Sequence, residues 1–273
     1  MEPAAADASD IERIELEAWL DQYAAAPSTE RLGRASTRIE DAAIIALKAV
    51  PLTLFNRVLG LGIVRPAAQD LLDRAITWLR EYGGSAWGVD LAPSAAPAEL
   101  ARWLETRSLV AEEGGTAKFW RAPVLPASSI ACALELREAD ASVADDFGAT
   151  AQAGFEMPAE LARSLGALVG RPRWRTYVAY DGSTPAAAAA MFLDRGYAWL
   201  GIGATLPHHR GRGAQNALLE RRIRDAVALG VRGLAVETEA PAAGEEPGAS
   251  YRNIVRAGFA LSHVRRRYVT HKT

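Results

Sequence analysis

Apolar positions along the chain follow two spacings, and the change from one to the other predicts its helices and strands. In the first half, apolar residues at helical spacing predict helices at 16–23 and 71–79, and the apolar run at 41–54 favours a strand. Strands that alternate with helices indicate an α/β or α+β fold with a mixed sheet. The second half predicts, in chain order, a strand at 130–136, helices near 140–153 and 158–169, strands near 174–180, 186–193 and 197–205, a helix near 214–229, a strand near 233–239, a short helix near 250–257 and a strand near 259–269.

A linker between the two halves is predicted from composition. Residues 121–129 carry two prolines and two serines between apolar runs, which is typical of a connecting segment. We therefore expect two domains, one spanning 1–127 and the other 128–273.

An internal repeat relates the two halves. The sequence Leu-Gly-Leu-Gly at 59–62 and the sequence Leu-Gly-Ile-Gly at 200–203 are each followed by Ala-Gln and by a helix that contains Leu-Leu. The next strand closes with Ala-Pro in both halves. The order and the spacing predict a strand–loop–helix–strand unit that occurs twice.

The loop inside this unit is longer in the second half. Five residues separate Gly62 from Ala68, whereas ten separate Gly203 from Ala214. The additional residues lie in the run 206–213, which reads Leu-Pro-His-His-Arg-Gly-Arg-Gly. If this loop binds a ligand, only the second copy does.

The longer loop has the chemistry of an anion site. Gly211 and Gly213 allow a tight turn in which several amides point the same way, and the following helix adds unpaired amides and its positive dipole end. Arg210 and Arg212 add positive charge. A glycine-rich surface connection is the alternative, but the position between a strand and a helix favours a phosphate or pyrophosphate site.

Composition excludes several other classes of protein. The 273 residues carry 31 Lys and Arg against 33 Asp and Glu, a net charge of −2 that does not suit a dedicated nucleic-acid binder. One cysteine forms no internal disulfide, and no apolar run reaches the roughly 20 residues that span a bilayer. With no basic-then-apolar leader pattern, we expect a cytoplasmic protein with no nucleic-acid, membrane or metal partner. The three arginines at 265–267 are interpreted as the solvated face of an edge strand.

The segment 206–214 resembles the acetyl-CoA loop of the GCN5-related N-acetyltransferases (GNAT), whose signature is [RQ]-x-x-G-x-[GA]. The strand predicted at 197–205 and the pair Gly258-Phe259 support the resemblance, which covers roughly 130–273. It implies a tandem GNAT-like acyl-CoA N-acyltransferase fold with a degenerate first half. That half would pack on the second and help to shape the acceptor cleft.

The resemblance also implies a cofactor site. Amides from 211 to 215 would hold the pyrophosphate of acetyl-CoA, the co-substrate, and the strand before the loop would bind its pantetheine arm. The short helix near 250–257 adds one candidate contact. The residues assigned to the cofactor are Gly203, Ala204, Thr205, Arg210, Gly211, Arg212, Gly213, Ala214, Gln215 and Asn253.

Two positions depart from the family pattern. The sixth position of the loop signature is Gln215, whose side chain would crowd or contact a phosphate. Many members also have a tyrosine four residues before the glycine of Gly-Phe, where it acts as general acid, and here that position is Ile254. The proton must then come from another group, or the thiolate leaves unprotonated.

The implied reaction is direct transfer of an acetyl group from acetyl-CoA to a primary amine on a small molecule or peptide. Glu237 and Glu239 are the candidate bases because their spacing of two puts both on one face of a strand; solvated carboxylates at a strand end are the open alternative. Tyr251 and Tyr268 could replace the missing acid or serve only in packing. The competing function is a catalytically silent acyl-CoA-binding or regulatory module.

Five further polar positions carry weaker expectations. His208 and His209 are interpreted as exposed loop residues. Ser250 is expected to cap the short helix. The pair at 56–57, Asn-Arg, either faces a cleft between the halves or lies in a surface turn.

Overall fold

The computed structural model describes residues 7–27, 31–126 and 132–270. The strands are β1 (Arg34–Ile39), β2 (Ala42–Leu47), β3 (Arg57–Leu59), β4 (Gly88–Leu91), β5 (Leu109–Ala111), β6 (Thr116–Arg121), β7 (Glu135–Glu138), β8 (Trp174–Asp181), β9 (Thr184–Asp194), β10 (Tyr197–Trp199), β11 (Gly203–Thr205), β12 (Gly233–Glu239) and β13 (Ala260–Thr270). The helices are α1 (Ala8–Ala25), α2 (Gln69–Tyr82), α3 (Leu100–Glu105), α4 (Ala144–Gly154), α5 (Leu161–Gly166), α6 (Ala214–Ala228) and α7 (Ala249–Arg256).

The described strands form one continuous mixed sheet. Its order is β1-β2-β3-β4-β13-β6-β12-β10-β9-β8-β7, with β11 paired to β9 and β5 paired to β13. Most neighbours are antiparallel, but β3 is parallel to β4 and β10 is parallel to β12. The predicted strand at 130–136 falls partly outside the described residues, and within them β7 begins at Glu135.

The two parallel pairs mark the repeated unit that the sequence predicts. In the first half, β3 leads through a loop into α2 and then into β4; in the second, β10 leads through β11 and the longer loop into α6 and then into β12. Each helix crosses from one strand to a parallel neighbour, as a helical crossover does. The unit is therefore present in both halves.

The two halves exchange strands at the centre of the sheet. β6 precedes the predicted linker, yet it lies between β12 and β13 of the second half. β13 in turn lies beside β4 of the first half, with Arg266 opposite Leu91 and Val269 opposite Gly88. At the centre of the sheet, strands from before the predicted division at 127/128 therefore alternate with strands from after it.

Helices cover both faces of the sheet. On one face, α6 and α7 pack with Leu234 and Val236 of β12, and α2 and α3 cover the first half. On the other face, α1, α4 and α5 pack against Trp199, Ala235 and the central strands of the second half. Alternation along β12 thus assigns odd-numbered positions to the α1 face and even-numbered positions to the α6 face.

The arginine run at 265–267 was predicted to lie on a solvated edge strand, and this is wrong. β13 is a central strand, paired along both of its edges, and its side chains alternate between the two faces of the sheet. Arg265 is buried and Arg267 is half-buried, and both pair with carboxylates; Arg266 is exposed. The three consecutive arginines suggested a solvated edge strand, and the sequence does not reveal the exchange of strands that makes β13 central.

The Asn-Arg pair at 56–57 is buried, so the surface turn is excluded. The Asn56 amide accepts hydrogen bonds from the amides of Leu47 and Gly84 and donates to the carbonyl of Val50. It thereby replaces missing backbone partners where the chain turns into β3. Arg57 belongs to a buried group of charged side chains described below.

Candidate active site

A β-bulge separates two neighbouring strands at the start of the site. Trp199 lies opposite Ala235 in the parallel pair of β10 and β12, and the pairing ends there. The amide of Ala190 then faces two carbonyls, those of Gly201 and Ile202, at 3.3 and 2.8 Å. Two residues opposite one define a bulge, which bends the strand. Beyond the bulge, β11 pairs with β9 along one edge and with no other strand of the described sheet. Its other backbone edge is open and faces the end of β12 from which it has separated.

A buried arginine holds this bulge in place. Arg222 of α6 donates to the carbonyls of Ala190 and Gly201 at 3.0 and 3.1 Å, and to that of Leu218 in its own helix. Its terminal nitrogen lies 3.6 Å from the place that a Cβ on Gly203 would occupy. Burial lowers the pKa of Arg222 to about 10. A cation therefore lies directly behind the open strand edge.

The loop between β11 and α6 leaves the first turn of the helix open. A 3₁₀ turn at Pro207–His209 precedes the two glycines, and Gly211 and Gly213 have φ angles of 78° and 84°. Gly213 is the N-cap of α6, and no side chain from the described residues caps the helix there. Amides of the first helical turn are thus available to an anion.

A groove of about 600 Å³ runs along these elements. It is bounded by the open edge of β11, the glycine loop, the start of α6 and one side of α7, and α4 ends at its rim. Every residue predicted for the cofactor except Arg212 lines it. The lining residues are Gly154, Phe155, Gly203, Ala204, Thr205, His209, Arg210, Gly211, Gly213, Ala214, Gln215, Asn216, Ala249, Asn253 and Arg256.

The groove fits a diphosphate with an extended polar arm. A Cβ on Gly211 would meet no described atom within 4 Å, so the loop surface is open at that point. Arg210 and Arg256 line the same groove and supply positive charge. Unpaired helix amides, a free strand edge and two arginines are the donors that such a ligand requires.

Arg212 is turned away from the groove. Its guanidinium makes two hydrogen bonds with the Asp181 carboxylate, and one of its terminal nitrogens lies 3.2 Å from Nδ1 of His209. His209 is half-buried and lines the groove, so its expected exposure is wrong; His208 is exposed. The ion pair with Asp181 anchors the loop to the β8–β9 turn.

The side chain of Gln215 is directed at α7. It donates to the Ser250 hydroxyl at 3.2 Å and accepts from the Asn253 amide at 2.6 Å, and Asn253 accepts from Arg256. Gly248, not Ser250, is the N-cap of α7, so the predicted capping role of Ser250 is wrong. The variant loop position therefore ties the start of α6 to α7 along the wall of the groove.

Sequence reasoning missed several lining residues. Phe155 and Gly154 come from the end of α4, and Arg256 from the end of α7. A Cβ on Gly154 would lie 2.8 Å from the Cβ of Ala204, so only glycine allows α4 to approach β11 this closely. These residues are distant in sequence from the loop motif, and nothing local signals their role.

Glu237 and Glu239 lie on one face of β12, the α1 face, but in different surroundings. Glu239 is exposed at the strand end. The Glu237 side chain is 17% exposed, and Oε2 accepts a hydrogen bond from Nζ of Lys118 on β6. Burial and the nearby Glu15 raise the pKa of Glu237 above its ordinary value, against the opposing effect of Lys118 and Arg265.

Glu237 is the exposed end of a larger group of charged side chains, here called the ion cluster. Glu15 of α1 is at its centre and contacts Arg57, Lys118 and Arg265. Asp90 of β4 is the second centre. The members, joined by ion pairs, are Glu12, Glu15, Arg57, Asp90, Lys118, Glu237, His263, Arg265 and Arg267.

The tyrosines considered as replacement acids lie in apolar packing. Tyr251 makes an edge contact with Phe119, with ring centroids 4.8 Å apart. Tyr268 is buried in the core of the first half, below α2 and α3. Ile254, at the position where the acid was expected, is 2% exposed. Of the two tyrosines, Tyr251 stays the predicted acid because it lies on α7, which forms one side of the groove.

Comparisons with known proteins agree with this geometry. A family model described as an acetyltransferase (GNAT) domain matches residues 132–237. A GCN5-related N-acetyltransferase from Kribbella flavida is similar over 96% of this chain and 96% of its own, with a TM-score of 0.62 at 15% identity. A tandem GNAT protein from the clavulanic acid biosynthesis pathway matches 96% of this chain and 92% of its own, with a TM-score of 0.57 at 16% identity. No curated protein sequence is similar enough to count as a relative.

Residues 132–237 therefore match an acetyltransferase (GNAT) domain, and the resemblance carried by the loop motif is confirmed. The structural neighbours show that the whole chain has a mixed α/β fold with a mixed sheet, similar to that of GNAT structures, one of which is described as a tandem GNAT protein. Family and fold together support an acyltransferase with an acyl-CoA donor. In the part of the chain that the structure describes, no helix is long and apolar enough to cross a membrane.

Proposed function

We propose that the second half transfers an acetyl group from acetyl-CoA to a primary amine of a small molecule or peptide. The observation that carries this proposal is the groove, in which a free strand edge, uncapped helix amides and two arginines converge. The amides at the start of α6 bind the pyrophosphate, and the open edge of β11 binds the pantetheine arm and directs the thioester towards the bulge.

Glu237 is the proposed proton acceptor. It lies on β12 at the end where that strand separates from β11, and its carboxylate is held by Lys118. The acceptor ammonium gives one proton to Glu237, and the nitrogen then forms a bond to the thioester carbon. An amide of β11 stabilises the oxyanion. The C–S bond breaks with its electron pair leaving on sulfur, and the thiolate takes the second proton that the nitrogen must lose to form the neutral amide.

Among the described residues of the first half, the position equivalent to the groove is closed, which supports a single active half. The amide of Ala96 donates to the carbonyl of Gly62 at 2.9 Å, and the amide of Ala67 donates to the carbonyl of Ala96 at 2.8 Å. A Cβ on Gly62 would lie 2.4 Å from the Ala96 oxygen. The segment that follows β4 thus packs against the short loop after β3 and fills the position that corresponds to the groove of the second half.

A binding titration with paired glycine variants tests the proposal. Wild-type protein should bind acetyl-CoA at micromolar affinity, about −8 kcal/mol, and should not bind ATP or NAD comparably. Gly213→Val should abolish binding because the β-branched side chain enters the pyrophosphate approach. Gly230→Val is the matched control: it follows α6, has a φ of 70° and meets no described atom within 4 Å.

Both variants place a β-branched residue at positive φ, at a cost of about 1–2 kcal/mol, so thermal unfolding should show similar losses. Normal binding by Gly213→Val would refute the placement of the site. An amine panel, followed by the release of free CoA, then tests transfer.

A catalytically silent acyl-CoA-binding module is the second candidate function. It is favoured by Ile254, which occupies the position of the family's general acid and is buried. Tight acetyl-CoA binding without CoA release for any amine would select this alternative.

A further inference from the structure

The ion cluster joins the first half of the chain to the proposed base. Lys118 is 1% exposed, and Nζ donates to Oε2 of Glu15 at 2.5 Å and to Oε2 of Glu237. Lys118 is on β6 and Glu15 is on α1, and both precede the predicted division of the chain at 127/128. Glu237 is the carboxylate of the cluster with the largest exposed fraction.

The two carboxylates that share Lys118 are unequally compensated. Glu15 contacts Arg57 and Arg265 in addition to Lys118. Among the described residues, Glu237 has Lys118 as its single ion-pair partner. The ionised form of Glu237 is therefore stabilised by fewer cations than that of Glu15, and the Glu237 carboxylate binds a proton more readily.

The charges that surround Glu237 come from three elements packed on its side of the sheet. Burial by itself would raise the pKa of Glu15, but Arg265 and Lys118 hold it well below its ordinary value. Glu15 is thus a permanent negative charge beside Glu237 and keeps the pKa of Glu237 raised. The surrounding groups are Glu12 and Glu15 on α1, Lys118 on β6, and His263 and Arg265 on β13.

We propose that Lys118 and Glu15 are positioning residues for Glu237, through which the first half sets the proton affinity and orientation of the base in the second. This inference rests on the proposed transfer reaction. Lys118 fixes Oε2, which leaves Oε1 to meet the acceptor ammonium. Glu15 prevents Lys118 from fully neutralising Glu237, because the two carboxylates share one ammonium group. A base whose proton affinity approaches that of the amine is the better acceptor.

Two variants with opposite expected effects test this assignment. Lys118→Met removes the shared cation, so Glu237 faces Glu15 directly and holds its proton to higher pH. The acidic limb of the kcat profile should move up by about one pH unit or more, with the KM for acetyl-CoA unchanged. Glu15→Gln removes the like charge and should move the same limb to lower pH.

The controls separate a positioning role from a structural one. Glu17→Gln alters an α1 carboxylate that pairs with Arg38 outside the cluster, and its profile should match the wild type. Glu237→Gln should lose turnover by about a hundredfold or more while it still binds acetyl-CoA. Wild-type turnover by Glu237→Gln, or shifts of equal sign in the Lys118 and Glu15 variants, would overturn the inference.

A readout without turnover distinguishes failure here from failure of the proposed function. Carbon-13 chemical shifts of the glutamate carboxylates, with Glu237 assigned by its loss in Glu237→Gln, give the titration of Glu237 directly. The midpoint should rise in Lys118→Met and fall in Glu15→Gln. Unmoved midpoints refute the role of Lys118 even if the enzyme is active. Wild-type protein that binds acetyl-CoA but acetylates no amine overturns the transfer reaction and the base assignment with it.

Discussion

Asp90 is the residue on which three arginines converge. Its carboxylate accepts from Arg57 at 2.9 Å and from Arg267 at 2.6 Å, and Arg265 lies at 3.1 Å. Burial alone would raise the pKa of Asp90, but Arg265, Arg57 and Arg267 lower it to about 2. Two of the three arginines lie on β13, so this carboxylate fastens the exchanged strand to β4.

The pKa of Asp90 predicts how stability depends on acid. Because the folded pKa lies below the unfolded value of about 3.9, the contribution of Asp90 is fully present above pH 4 and is lost as the pH falls towards 2. Asp90→Asn should lower the free energy of unfolding at neutral pH by about 3 kcal/mol and flatten the decline in acid. Urea denaturation at several pH values measures both effects.

Asp41→Asn is the control for that experiment, because Asp41 pairs with Arg65 at the surface. Its stability should stay within about 0.5 kcal/mol of the wild type. Curves for Asp90→Asn and wild type that run parallel from pH 7 to pH 2 would contradict the assignment.

Single residues were predictable from the sequence where the backbone performs the chemistry. Gly211 and Gly213 were identified because their loop lies between a strand and a helix, and both have the positive φ that favours glycine. The environment of Glu237 was not predictable, since Lys118 and Glu15 lie more than a hundred residues away in sequence. The ion pair with Asp181 that turns the Arg212 side chain away from the groove was likewise not predictable, because Asp181 lies at the β8–β9 turn, distant in sequence from the loop.

At the scale of elements, the bulge separates what the sequence predicted as one strand at 197–205 into β10 and β11. Ile202 has a φ of 51°, which a β-branched residue rarely adopts. The apolar pattern continues through this position, so it could not reveal the break. Strain of this kind persists when surrounding contacts enforce it, and Arg222 supplies two of those contacts.

Removal of Arg222 should therefore affect ligand binding at a distance. In Arg222→Met the carbonyls of Ala190 and Gly201 lose their donor, and the bulge can relax towards β12 and narrow the groove. We expect the Kd for acetyl-CoA to rise about tenfold, which corresponds to about 1.4 kcal/mol. Calorimetric titration of the folded variant measures the change.

Arg224→Met provides the comparison for this element. Arg224 is on the same helix, two residues further on, and pairs with Glu220 near the surface. Its affinity for acetyl-CoA should be unchanged. Equal Kd values for the Arg222 variant and the wild type would show that the bulge does not depend on the arginine.

At the scale of the whole molecule, the exchange of β6 and β13 makes the two halves interdependent. The repeat was predictable because each copy carries its own glycine strand, helix and Ala-Pro ending. The exchange was not predictable, because the pairing of β4 with β13 joins residues about 175 positions apart. The hydrophobic pattern predicts a strand but does not predict which other strands pair with it.

This topology predicts a single unfolding transition. A chain of two independent domains would show separate steps or a calorimetric enthalpy larger than the van't Hoff enthalpy. Here the loss of the first half would leave β12 and β13 without β6, and the loss of the second half would leave β4 and β6 without β13, so the two enthalpies should agree. Scanning calorimetry of the full chain tests this expectation.

Expression of 1–127 and 128–273 as separate chains extends the same prediction. Neither should fold alone, because β6 would lack β12 and β13 would lack β4; mixed, they should complement each other. Two well-folded fragments would show that the halves are independent domains.

The central position of β13 also bears on how the protein is made. Of the described strands it is the last to be synthesised, although it pairs with β4, β5 and β6, which are made far earlier. A growing chain on the ribosome must therefore keep the edges of β4 and β6 unpaired with β13 while the whole second half is translated. Unpaired strand edges invite association with other chains. Slow translation between β6 and β13 would thus lengthen the interval in which a nascent chain needs protection by a chaperone.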